Sequence, residues 1–179
     1  SSRLAHSFDF IRFRHRILDL FQWYEDDNVR RKFLAPYFPL VQSSGVGKTK
    51  LLHEIYKQGL SANESKGRKQ KQTQKQEYPD TSILLIICRP RSGDPIPDIY
   101  QSGGSLTCYR EATKGNRDEF YRQLDEKLDK LSSQKVVLLF DEAQHLLHSN
   151  GFGFRCVRWW LRIERGEKHH VVAVFAGTS

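Results

Sequence analysis

The chain has 179 residues, of which 38% are hydrophobic, 28% charged and 12% aromatic, and its formal net charge is +8. That length suits one domain with a substantial core, and the composition excludes a disordered tail or a membrane-spanning chain, since no apolar run approaches bilayer length. The positive balance favours acidic partners such as nucleotides, nucleic acid or anionic surfaces.

From the amino end, Phe10, Phe13, Ile17, Leu20, Phe21 and Tyr24 recur at three-and-four spacing, which predicts an amphipathic helix over 8–24 with Arg12, Arg14 and Arg16 turned outward. Glu25-Asp26-Asp27-Asn28 ends the pattern, and a short segment around Val29 to Leu34 leads to Pro36 and Pro39, which delimit the first strand. Residues 1–35 therefore read as a helical lead-in, and residues 36–179 as the core domain.

The core opens with PLVQSSGVGKTKLL, Pro39 to Leu52, an apolar strand that breaks into small residues and restarts as a helix. Such a break cradles phosphate: Gly45 and Gly47 let the backbone curl with its N–H groups inward, and Ser43, Ser44 and Val46 complete the loop. Lys48 supplies a mobile positive charge for the β- and γ-phosphates, the Thr49 hydroxyl can hold Mg²⁺, and the new helix adds its N-terminal N–H groups. Against the pattern G-x-x-x-x-G-K-[ST], Gln42 replaces the first glycine. That glycine mainly eases the exit from the strand, so the phosphate-facing geometry is expected to survive with Gln42 extended.

Leu51, Leu52, Ile55 and Tyr56 form the buried face of the helix after the loop, and Gly59 ends it. Residues 61–80, SANESKGRKQKQTQKQEYPD, are poor in apolar residues and rich in Lys and Gln, as in a solvated insertion; the sharper reading is a nuclear-localisation or nucleic-acid patch. Ser82 to Cys88 is a continuous apolar run that suits a strand buried on both faces of a parallel sheet, followed by a loop, RPRSGDPIPD. Asn116 and Glu119 resemble a helix cap and its partner, and Tyr121, Leu124, Leu128 and Leu131 mark one face of the helix that follows.

Val136 to Phe140 is another apolar strand, with Asp141 and Glu142 at its carboxyl end, where α/β sheets place their ligand sites. Asp141 would hold Mg²⁺, directly or through water, and Glu142 would accept a proton from the attacking water. Arg155, Arg158, Arg162 and Arg165 share one face of the next helix, which contains Trp159 and Trp160, while Val157, Trp160 and Leu161 supply apolar surface. That stripe suits a backbone phosphate or a neighbouring subunit, and a solvated face is its plainer reading. Val171 to Phe175 is a fourth apolar strand ending in Ala176-Gly177-Thr178-Ser179, where a polar residue would sit beside Asp141 and orient the water near the γ-phosphate. Helices between the four runs make a three-layer α/β sandwich with a mainly parallel sheet. The strand between the phosphate-loop strand and the Asp-Glu strand implies that these two are not neighbours, and a closing strand and helical lid are expected to fall outside this sequence. Cys88, Cys108 and Cys156 are widely separated with no C-x-x-C pair, so they read as reduced thiols.

The blocks QSSGVGKT, VVLLFDEA and VVAVFAGTS together resemble the P-loop NTPase region of the Crinkler family, effector-like proteins of oomycetes and fungi, within the AAA+ and signalling-ATPase branch. The likeness runs from about Leu34 to Ser179. It implies Lys48 and Thr49 for phosphate and Mg²⁺, Asp141 for Mg²⁺, Glu142 as catalytic base and Thr178 as sensor. It also implies secretion and delivery to a host cell, with action in the cytosol or nucleus. The expected activity is Mg²⁺-dependent ATP hydrolysis driving a conformational switch. The alternatives are a nucleotide-dependent binding module that self-associates without turnover, and a nucleic-acid-binding protein that uses its basic segments. A small-molecule kinase is disfavoured by Glu142, since a kinase does not need to activate water.

Overall fold

Strands that are apolar at every position have no face to give to water, so they must lie between two layers of helices. A computed structural model shows that arrangement and describes residues 2–26, 28, 35–42, 45, 47–60, 81–89, 95, 106–109, 117–164 and 170–178. In chain order the elements are α1 (Ser2–Glu25), β1 (Tyr37–Gln42), α2 (Lys48–Gln58), β2 (Thr81–Arg89), β3 (Leu106–Tyr109) and α3 (Arg117–Asp129). They continue with β4 (Lys135–Asp141), a 3₁₀ turn (Ala143–Leu147), α4 (His148–Trp159), a π turn (Trp160–Glu164) and β5 (His170–Thr178). The sheet has five strands in the order β1-β5-β4-β2-β3, all paired in parallel.

Alternate residues of each central strand serve opposite layers. Val136, Leu138 and Phe140 of β4 join Val171, Ala173 and Phe175 of β5 in a core with Leu124 of α3 and Val157, Trp160 and Leu161 of the α4 segment. Val137 and Leu139 join Val172 and Val174 in a second core with Leu52 and Ile55 of α2 and Phe13, Ile17 and Phe21 of α1. The expected three-layer α/β sandwich is therefore present. The phosphate-loop strand β1 and the Asp-Glu strand β4 are separated, as expected, and β5 lies between them.

Several local expectations change. β1 begins at Tyr37 and runs through Pro39, because β1 is an edge strand and an edge tolerates a residue without an N–H. β3 falls in a stretch with no predicted strand: it is four residues long and sits on the other edge. Arg14 is buried, not turned outward; its guanidinium donates to the carbonyl of Leu60, just beyond the end of α2, while Arg12 and Arg16 remain exposed. The Val29–Leu34 segment, the insertion at 61–80, Asn116 and Arg165 lie outside the described residues. Among the described residues no helix is long and apolar enough to cross a membrane.

Aromatic rings fasten the β1 edge to α4. Phe175 of β5 stacks on Phe140 at 4.8 Å between centroids and meets Tyr37 of β1 edge-on at 5.4 Å and Phe154 of α4 at 5.0 Å. Tyr37 and Phe154 also touch edge-on at 5.5 Å. On the opposite side of α4, the Tyr121 hydroxyl donates to the Cys156 carbonyl at 2.9 Å and the Trp160 indole N–H donates to Asp125 at 3.2 Å, so α3 holds α4 in place.

Candidate functional site

In a parallel sheet every strand ends at the same edge, and side chains beyond those ends converge. Here β1 runs out at Gln42, paired with Thr178, the last residue of β5. Ile87 of β2 pairs with Asp141 of β4, which puts Arg89 two residues beyond the level of Asp141. A cleft of about 770 Å³ opens at this edge, lined among others by Gly47, Lys48, Thr49, Asp141, Glu142 and Thr178. A second hollow of about 370 Å³, more apolar, lies beneath Trp23 at the opposite end of β1 and contains none of these groups.

The turn into α2 depends on glycine. Gly45 and Gly47 have φ of 83° and 85°, in the left-handed region that L side chains rarely adopt. No atom lies within 4 Å of where a Cβ would stand at either position, so the requirement is one of backbone conformation and not of space. Gly47 caps α2 without a side-chain hydrogen bond, and the first amide N–H groups of a helix have no acceptor within the helix itself. Ser43, Ser44 and Val46 lie outside the described residues. Lys48, at the start of α2, is only 8% exposed, and Asp141 is 2% exposed. The backbone N–H of Glu142 donates to Asp141 Oδ1 at 2.9 Å.

Glu142 itself has a φ of 53°. A non-glycine residue in that region carries strain of roughly 1–2 kcal/mol, a cost that commonly collects at functional sites. Its Oε2 accepts from Arg89 Nη1 at 3.0 Å, and His145 Nε2 lies 3.8 Å from the same oxygen. Arg89 is held in turn by donating from Nη2 to the Pro95 carbonyl at 2.6 Å. Thr178 is exposed at the cleft, and its backbone N–H donates to Gln144 Oε1 at 3.3 Å. Gly177 is needed for that approach: a Cβ there would stand 3.2 Å from Gln144 N and Oε1.

Gln144 and His53 line the cleft and Arg89 pairs with its Glu142, and none of the three was legible as such in the sequence. His53 lies on α2, 5% exposed. Burial is the main cause that pushes its pKa below the ordinary 6.5; Asp141 opposes the shift and Lys57 adds to it. The donors that could hold a metal are the Thr49 hydroxyl and the buried Asp141 carboxylate. Both are oxygen ligands in one cleft beside a turn that presents N–H groups, and this set fits a hard cation carried by phosphates, as Mg²⁺ is. Cys88 and Cys156 do not contribute, since both are buried in the core on the α3 and α4 side.

A parallel sheet covered on both faces, a glycine turn opening into a helix at its carboxyl edge, and a buried Asp on a separated strand define the P-loop nucleotide-binding class. The model of the AAA domain matches residues 40–179, and the chain belongs to that family. Domains of this family typically bind ATP with Mg²⁺ and are usually ATPases, which supports nucleotide binding as the general function. No curated protein and no solved structure matches the chain.

Proposed function

We propose that this chain binds ATP with Mg²⁺ and hydrolyses it, acting as a nucleotide-driven switch. One observation carries the proposal: Lys48, Thr49, Asp141, Glu142 and Thr178, which come from three separate stretches of sequence, line a single cleft. The loop from Ser43 to Lys48 would wrap the phosphates with its backbone N–H groups, and Lys48 would neutralise the terminal ones. Thr49 and Asp141 would hold Mg²⁺, which when bound neutralises the charge that develops on the transferring phosphate. Glu142 would take the proton from the attacking water, and the Thr178 hydroxyl would orient that water.

Nucleotide-dependent assembly without turnover is a second reading, and it is favoured by the ion pair that occupies Glu142 Oε2. Hydrolysis requires the carboxylate to reach water in spite of Arg89, whereas assembly does not. The narrower assignment to a Crinkler-like effector is supported by Gln42 at the head of the loop and by the FAGTS ending. With it come residues 1–35 as a lead-in to a 36–179 core, and action in the cytosol or nucleus.

Calorimetric titration with Mg²⁺ and ATP tests the site. Lys48→Ala is expected to abolish binding with the fold intact, because that ammonium meets the ligand; binding as tight as that of the parent would remove the loop from the site.

A further inference from the structure

Gln144 sits where the turn after β4 meets the end of β5, and the phosphate, metal and base roles of the cleft do not use it. The left-handed φ of Glu142, 53°, turns the chain out of β4, and the His145 N–H donates to the Glu142 carbonyl at 3.1 Å to close the turn. That turn carries Gln144 to the cleft wall, together with Asp141, Glu142 and Thr178. Its Oε1 accepts from the Thr178 backbone N–H at 3.3 Å. Only the oxygen of an amide can accept from an N–H, so the contact fixes which end of the side chain faces β5 and leaves both hydrogens of Nε2 uncommitted to that strand. Among the described residues those two hydrogens have no acceptor. The approach is close: a Cβ at residue 177 would stand 3.2 Å from Gln144 N and Oε1, so the glycine there admits the amide. Thr178 is exposed, and water could serve its N–H as well. What the contact adds is a fixed orientation of Gln144.

Phosphate oxygens are negative and accept hydrogen bonds. On the β4 side of the cleft the carboxylates of Asp141 and Glu142 offer acceptors only, so a phosphate that reaches this side needs donors from elsewhere. Gln144 brings two, in a neutral side chain whose other end is already fastened. The loop and Lys48 stand at the end of β1 and the head of α2, and β5 separates β1 from β4. The phosphate that extends from the loop towards β4 is therefore the one farthest along the chain of phosphates, next to Glu142. On the reading of the cleft as an ATP site, we infer that Gln144 is a specificity-determining residue whose amide N–H groups bind the terminal phosphate, adding affinity for the triphosphate that the diphosphate does not receive. ADP keeps the loop, Lys48 and Thr49 but does not reach Gln144.

The test is calorimetric titration of the full chain with Mg²⁺ and either ADP or the β,γ-imido analogue of ATP, which is not turned over. Gln144→Met, similar in length but without the amide, should weaken the analogue by about 10- to 100-fold, the loss expected for hydrogen bonds to a charged group, and should leave ADP affinity within about 2-fold. Retained ADP binding also shows that the variant folds. Thr178→Val removes the neighbouring hydroxyl, and in that background Gln144→Met should still weaken the analogue by the same factor. The assignment is overturned if Gln144→Met binds the analogue as the parent does, or if it loses ADP and the analogue alike, the mark of a contact that only holds β5 in place. It is also overturned if the effect vanishes in the Thr178→Val background, which would mean that Gln144 acts through Thr178 alone. A failure of the ATP reading shows elsewhere: the parent then binds neither nucleotide, or Lys48→Ala binds both like the parent, and the assignment of Gln144 falls with it.

Discussion

Glu142 carries the distinction between a hydrolase and a holder of nucleotide. Its backbone sits at a φ of 53° and its carboxylate is engaged by Arg89 at 3.0 Å. Glutamine keeps the shape and can still accept the arginine hydrogen bond, but it cannot take a proton. Glu142→Gln is therefore expected to leave ATP affinity within a few-fold and to cut turnover by about 10² to 10⁴, the range for losing a general base. Phosphate release measured under saturating Mg²⁺ and ATP checks this, and equal turnover by parent and variant would favour the assembly reading. His53 makes a different kind of prediction. Its folded pKa is depressed, chiefly by burial, so at pH 7 it is neutral in both the folded and unfolded chain. As pH falls through the ordinary value of 6.5 the unfolded chain binds a proton that the folded chain refuses, and stability drops until the lowered folded pKa is passed. Urea denaturation at pH 7.5 and at about pH 5.5 should show that loss, and His53→Gln should reduce it. An unchanged pH slope in the variant would mean that other groups set it.

At the scale of elements, what was legible followed from local rules. β2, β4 and β5 are continuous apolar runs because both their faces are buried, and the phosphate loop is legible because its glycines, lysine and threonine are neighbours in sequence. His53 and Gln144, and the Arg89 that pairs with Glu142, were not, since each is placed through strand register or helix turn, and register is a property of pairing that no single stretch contains. Arg14 and β3 were missed for a related reason: the partner of Arg14 is the Leu60 carbonyl 46 residues away, and a four-residue edge strand offers too few positions for any periodicity to appear. The aromatic contacts between β5, β1 and α4 are equally non-local, and they yield a stability prediction. Phe175 is 4% exposed and touches Tyr37, Phe140 and Phe154. Phe175→Ala should cost about 3–5 kcal/mol by removing a buried ring and leaving a cavity. Urea unfolding measures it, and a loss below about 1 kcal/mol would mean that the rings do not hold the β1 edge.

For the molecule as a whole, the question is whether the phosphate loop is a detachable appendage or part of the cooperative unit. α2 grows directly from the loop, and its Leu52 and Ile55 are fully buried in the core that contains Ile17 of α1 and Val137, Leu139 and Val174 of the central strands. The loop cannot come apart without α2, and α2 cannot leave without opening that core. Ligand energy delivered to the loop should therefore appear as resistance to global unfolding. At a free nucleotide concentration about 100 times Kd, linkage gives about 2.7 kcal/mol. For a chain of this size that corresponds to a rise in Tm of about 5–10 °C. Differential scanning calorimetry with Mg²⁺ and ATP should show the rise in the parent and in Glu142→Gln, which binds without turning over, and no rise in Lys48→Ala. If the parent binds nucleotide by calorimetric titration but its Tm does not move, the loop opens independently of the core, and a switch that transmits nucleotide state through α2 is ruled out.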